Sequence, residues 1–215
     1  MKAGKIILFI LTVLLITSCS KTKTEYWPNG NKKSEVSLRN GVYDGVAEYW
    51  FENGNIQASA TYKNNKIDGI LRSYNPEGGL QSEQSFAEGV LNGKVKAWNQ
   101  AGKLTNEGHY LKGVLHGRYV EFYPDKTVKL EGNYVLGDHD GVWLYYNPSG
   151  TIAGEGTFVL GTGVQKTFYS DGTTKQLTHY TKNEKDGEEI FYKPNGDADV
   201  INYFAKGKMI NKIKK

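Results

Sequence analysis

The feature that most constrains this chain is a column of aromatic residues: Tyr26, Trp50, Tyr74, Trp98, Phe122, Tyr146, Phe168 and Tyr192. Every step is 24 residues except one of 22. A second column, Leu38, Tyr62, Phe86, Tyr110, Tyr134, Phe158, Tyr180 and Phe204, keeps the same schedule. Three glycine columns follow it, led by Gly30, Gly41 and Gly45, and hold 20 of the 26 glycines. A fixed period of this size marks one supersecondary unit stacked on copies of itself.

The unit can be read from its best copies. Residues 46–51 and 55–63 are two short β-rich runs separated by Glu52-Asn53-Gly54. Asn-Gly between such runs predicts a tight hairpin, because both residues tolerate positive φ. Ile56, Ala58, Ala60 and Tyr62 alternate with Gln57, Ser59 and Thr61, the period-two pattern of a half-buried antiparallel strand. One hairpin is marginal in water, so its neighbours must supply the buried surface. The predicted fold is all-β: an elongated single-layer antiparallel sheet of about eight stacked 24-residue β-hairpins. With strands ~4.8 Å apart, that ribbon runs ~75 Å. Gly108, Gly132 and Gly156 share a column and should leave slots against which rings lie.

The pattern Asp-Gly-x-x-x-x-Tyr/Trp-x-x-x-Gly, followed by x-Tyr-x-x-Gly-x-x-Asp-Gly, resembles the bacterial variant of the MORN repeat. Tyr62–Gly69 and Tyr110–Gly117 carry it best. The resemblance covers about residues 25–211 and implies an elongated hairpin sheet that mediates attachment or partner binding. Many bacterial members are labelled antitoxin-like. Departures stand at Lys126, Asn65 and Asn183, and two residues are missing between Gly161 and Gly163.

Residues 1–18 read as an export signal, with Lys2 and Lys5 before the apolar run Ile6–Ile16. That run is far short of the ~20 residues a spanning helix needs. Ile16-Thr17-Ser18-Cys19 resembles a bacterial lipobox, and Cys19 is the only cysteine of the chain. A lipidated Cys19 would hold the protein on a membrane without a transmembrane helix. Ser20 after the cysteine fits outer-membrane sorting in Gram-negative bacteria, by resemblance to known lipoproteins. The expected organisation is a signal peptide over 1–18, lipidated Cys and polar tether over 19–24, the repeat array over 25–211, and a basic tail over 212–215.

Composition removes several function classes. One Cys excludes a disulfide framework or a multi-thiolate zinc site. The formal charge of +4 falls to +2 without Lys2 and Lys5, which gives no argument for nucleic acid. His109 and His179 share a polar column, and His116 precedes a turn glycine. Asp138-His139-Asp140 and Asn195–Asp199 read as turns rather than metal loops. The column Glu83, Glu107, Glu131, Glu155 belongs to hairpins ~10 Å apart, too far for a retaining carboxylate pair. No catalytic residue, metal or cofactor is therefore expected. Trp27, Trp50, Trp98 and Trp143 are the candidate partner-binding aromatics, since exposed rings could stack on sugars or an apolar surface.

The reading is a non-enzymatic, membrane-anchored binding or scaffold module outside the cytoplasm, with a protein or surface-polymer partner. An antitoxin or immunity-type protein that neutralises a toxin is the alternative. A glycan-active surface enzyme is a distant third.

Overall fold

The computed structural model describes residues 20–215, so the export segment and Cys19 lie outside the described residues. Eighteen strands run from β1 (Ser20–Tyr26) to β18 (Lys208–Lys214) in one open sheet, with no helix among the described residues. Each strand pairs antiparallel with the next in sequence, so the chain meanders from one free edge to the other. β5 (Lys66–Ile67) and β6 (Gly69–Tyr74) both pair with β4 (Ile56–Lys63) and occupy one place in the ladder. The all-β single-layer reading holds.

Two kinds of turn alternate along the ribbon and define its two long edges. On one edge stand two-residue loops such as Asn40-Gly41, with φ of 51° and 82°. Positive φ at both positions is the type I′ geometry whose twist matches that of the flanking strands. Asn65 (φ 66°) and Asn183 (φ 65°) replace glycine in these loops, Asn being one of the residues that enter the left-handed region readily. Each loop also bonds to the strand that leaves the loop before it: Gly89 N donates to Ile67 O at 2.7 Å, and Gly137 N to Leu115 O at 2.8 Å.

The other edge differs from the expectation at Asn53. Only Gly54 has positive φ there (90°); Asn53 does not. Gly54 N donates to Phe51 O, and Phe51 N to Asn55 O, both at 2.9 Å. This is a three-residue loop closed by a glycine bulge. Asn53 instead uses its side chain: Oδ1 accepts Asn55 N at 3.0 Å, and Nδ2 donates to Pro76 O of the next loop at 2.8 Å.

Within most repeats a second bulge interrupts the ladder. Between β2 (Lys32–Arg39) and β3 (Val42–Trp50), Val36 pairs with Ala47 but Leu38 pairs with Tyr43, so β3 holds two extra residues opposite Ser37. Gly45 occupies this bulge at φ 114°, where a Cβ would stand 2.8 Å from Ser37 Cβ. The 22-residue copy explains itself here. β13 (Ile152–Val159) and β14 (Thr162–Phe168) pair without any register shift, so the two missing residues are the bulge.

The register also explains the second aromatic column. Tyr62 pairs with Gly45, Phe86 with Gly69, Tyr110 with Gly93, and Phe204 with Gly187. Each ring stands across from a residue without a side chain. Most of the core is a line rather than a layer. Val36, Ala47, Ala60 and Trp143, all 4% exposed or less, lie in one row across one face of the sheet, with Phe158 beside it and Val120 buried on the other face.

Both chain ends correct the sequence reading. Ser20-Lys21-Thr22-Lys23-Thr24 is not a tether but most of β1, paired with β2. Residues 212–214 are not a tail but the end of β18, paired with Val200–Asn202.

Candidate functional site

The face that carries the buried row also carries the densest aromatic group. Trp143 in β12 (Asp138–Tyr146) meets Tyr134 at 4.9 Å and His139 at 4.4 Å, both edge-on. His139 reaches Phe158 at 5.3 Å, and Phe158 reaches Tyr180 at 5.7 Å. The predicted glycine slots are real: a Cβ on Gly132 would lie 2.1 Å from the Trp143 ring, and one on Gly108 2.9 Å from Tyr119. Burial pushes the Tyr49 and Tyr145 hydroxyls up to about 12, so both keep their protons.

Of the four candidate tryptophans, Trp143 cannot serve a partner. It is 2% exposed, and its Nε1 donates to Asn133 O at 3.1 Å. Its slot over Gly132 makes it a wedge in the ribbon. Trp27, Trp50 and Trp98 are half-buried. Trp27 Nε1 donates to Trp50 O at 3.0 Å, which joins successive repeats. Lys33 lies 5.0 Å over the Trp27 ring and Lys32 5.0 Å over Trp50, so both rings are already engaged by cations. Three half-buried rings remain along the ribbon, not a converging set. Cys19 lies outside the described residues.

The polar candidates resolve into structural roles. His109 and His179 sit beneath bulge glycines, with His179 Nδ1 2.9 Å from Glu188 O. Asp138, His139 and Asp140 belong to β12 and not to a turn. Asp140 Oδ1 accepts Leu160 N of the next loop at 3.2 Å, and His116 Nδ1 accepts Leu136 N at 3.4 Å. The same link joins Asp68 to Glu88 N and Asp186 to Lys206 N. The polar residue before the bulge glycine (Asp68, Asn92, His116, Asp140 and Asp186) thus ties its repeat to the next loop. The glutamate column is largely ion-paired: Arg72 to Glu83 and Arg118 to Glu131, both at 2.9 Å. Arg118 and the Tyr146 hydroxyl hold the Glu131 carboxyl below its ordinary range.

Sequence reasoning missed one cluster. Glu189 in β16 (Glu184–Tyr192) is 4% exposed and lies in the same row as Trp143, four strands further along. It pairs with Lys185 and accepts Gln176 Nε2 and Asn202 Nδ2, each at 2.9 Å. The row that is apolar at Val36 and Trp143 has become polar by Gln165, Thr178, Glu189 and Asn202. Only the register of the ladder reveals that these residues are neighbours.

The fold and its surfaces define an open, repetitive β-sheet protein whose chemistry is spread along faces and edges. Four segments match the MORN repeat variant: residues 43–64, 115–135, 140–159 and 162–182. Each match is one copy of the two-turn unit, and the same two turns recur in the segments between the matches. No curated protein matches the chain. Among solved structures it is similar to part of the crystal structure of TcdB2-TccC3-Cdc42, at 12% identity and a TM-score of 0.19, covering 86% of this chain and 13% of that one. The Photorhabdus luminescens Tc holotoxin pore matches at 12% identity and 0.20, covering 91% and 12%. The chain thus spans about an eighth of the length of these structures. Among the described residues no helix is long and apolar enough to cross a membrane.

Proposed function

We propose that this chain is a membrane-anchored, non-enzymatic binding module that works outside the cytoplasm. The observation that carries this reading is that the repeat sheet takes up the described residues from Ser20 to Lys214. Such a ribbon offers long faces and edges to a partner, as stacked-repeat proteins generally do. The anchor rests on the lipobox Ile16-Thr17-Ser18-Cys19, placed directly before the first strand. The partner-facing rings are Trp27, Trp50 and Trp98, half-buried and spaced along the ribbon.

The test is cross-linking of the full chain in its own membranes, with recovery and identification of the partner and mass measurement at Cys19. The reading expects a lipid mass on Cys19, loss of membrane retention in Cys19→Ala, and one recurrent partner whose capture falls in Trp98→Ala. Retention of Cys19→Ala, with no lipid on the wild type, would overturn the anchor. Turnover of a surface glycan by the purified chain would overturn the non-enzymatic assignment.

A further inference from the structure

The two long edges of the ribbon are chemically unlike, and the first strand begins on one of them. Ser20 pairs with Arg39, next to the two-residue loop Asn40-Gly41. The described chain therefore starts at Ser20 on the two-residue-loop edge, and Cys19 is the residue before it in sequence. Along that edge the middle repeats expose Val90, Leu111, Val114, Leu136, Val159 and Leu160, at 39–70% of their surface. Repeats advance ~10 Å each, so these side chains form a ridge ~30 Å long.

Two members of the ridge are held there against backbone preference. Leu136 and Leu160 take the first loop position at φ of 50° and 46°. The equivalent places hold Asn40, Asn64, Glu88, Lys112, Lys182 and Lys206. A bulky apolar residue in the left-handed region is strained, and water gives it nothing in return at 64% and 52% exposure. Loop charges of both signs bracket the ridge. Arg39, Lys63 and Lys66 lie on the anchor side, Lys112 within it, and Lys182, Lys206 and Lys208 beyond it. The carboxylates of the same edge are Glu88, Asp138 and Glu184, with Asp44 paired to Arg39 and Asp68, Asp140 and Asp186 turned onto loop amides. The opposite edge is built of Asn, Pro, Asp and Gly with Glu52, Glu77, Lys103, Lys126 and Lys193, and its exposed large apolar side chains are Tyr26 and Ile152.

From these we infer that the ribbon lies lengthwise on the bilayer, its two-residue-loop edge against the headgroups and Leu136 and Leu160 at the centre of the lipid contact. The inference rests on the proposed anchoring at Cys19 and adds an orientation to it. Apolar side chains suit the headgroup–acyl boundary, and the lysines at either end of the ridge can lay their stems on it while their ammonium groups meet headgroup phosphates. One acylated end would otherwise leave the ribbon free to pivot. A second contact along the same edge fixes which face a partner meets.

The experiment uses the full, acylated chain in phosphatidylethanolamine–phosphatidylglycerol vesicles, with a single spin label at Leu136→Cys or at Ser149→Cys on the opposite edge. Contact predicts that a water-soluble nickel relaxant reaches the label at 136 several-fold less than the label at 149. Equal access at both, with lipid mass present on Cys19, overturns the ridge and leaves the anchor standing. Shielding at 136 in native membranes but not in vesicles assigns the ridge to a protein and also overturns the inference. If Cys19 carries no lipid, the anchoring reading fails and the ridge is judged on Cys19→Ser. That chain should bind the same vesicles, and adding Leu136→Asn with Leu160→Asn should weaken binding at least about tenfold. No vesicle binding by Cys19→Ser overturns the ridge. The Asn pair is a clean probe, because Asn40 and Asn64 already occupy the same loop position and its melting temperature should not fall.

Discussion

Lys126 is the residue at which the array breaks its own rule. It occupies the bulge position of the loop Tyr123–Thr127 at φ 75°, where the equivalent loops place Gly30, Gly54, Gly78, Gly102, Gly150, Gly172 and Gly196. The loop keeps its form because Asp125 accepts Thr127 N at 2.9 Å and Thr127 Oγ1 at 2.6 Å. Left-handed backbone costs a non-glycine residue about 1–2 kcal/mol, partly offset by the freedom glycine loses on folding. Lys126→Gly should therefore stabilise the chain by about 0.5–1 kcal/mol in a denaturant titration. Gly132 is the opposite case. A Cβ there would enter the Trp143 ring plane at 2.1 Å, with the ring enclosed by Tyr134 and His139. Gly132→Ala should cost about 1–3 kcal/mol, as overpacking does elsewhere. An unchanged melting curve for Gly132→Ala would mean that the wedge is not the contact described.

At the scale of the element, the hairpins near the C-terminal end are held by charge where those in the middle are held by rings. Burial pushes the Glu189 carboxyl up, but Lys185, Asn202 and Gln176 outweigh it and hold the group below its ordinary 4.5. A carboxyl depressed on folding contributes stability that is complete above its unfolded value and is lost as pH falls through the folded one. Hydrogen exchange over β15 (Thr174–Thr181), β16 and β17 (Ala198–Ala205) should therefore rise as pH drops below about 4.5. Glu189→Gln should abolish that local response while costing about 1–3 kcal/mol at neutral pH. These elements were partly legible beforehand. The strand of Ile56–Lys63 and the glycine slots follow from alternation and column spacing alone. The three-residue loop at Asn53 departs from that reading because Asn-Gly serves either hairpin class, and the closure from Phe51 to Asn55, shared by every loop on this edge, shows only in the backbone bonds. Glu189 was invisible because its partners come from three strands and meet only through the register.

At the scale of the molecule, every tie described but one joins a repeat to itself or its neighbours. The loop-to-strand bonds step about one repeat, as in Gly113 N to Leu91 O at 2.7 Å. The longest reach is Asn183, which spans the short copy to bond His139 N at 3.0 Å and Asp138 Oδ1 at 2.8 Å. That staple bridges the copy without a bulge, beside the rings that surround Trp143. A quasi-one-dimensional array loses stability where it is cut and keeps it elsewhere. Trp143→Ala removes a 2%-exposed aromatic, a loss of about 3–5 kcal/mol at a buried site. Hydrogen exchange should then rise across residues 114–181, while β2 to β4 stay protected. Trp50→Ala, at a half-buried ring, should give a weaker and separate response near residues 25–95. A compact domain would spread either loss through one shared core. If Trp143→Ala melts the first three hairpins together with the middle ones, the ribbon is a single cooperative unit, and the nearest-neighbour account fails.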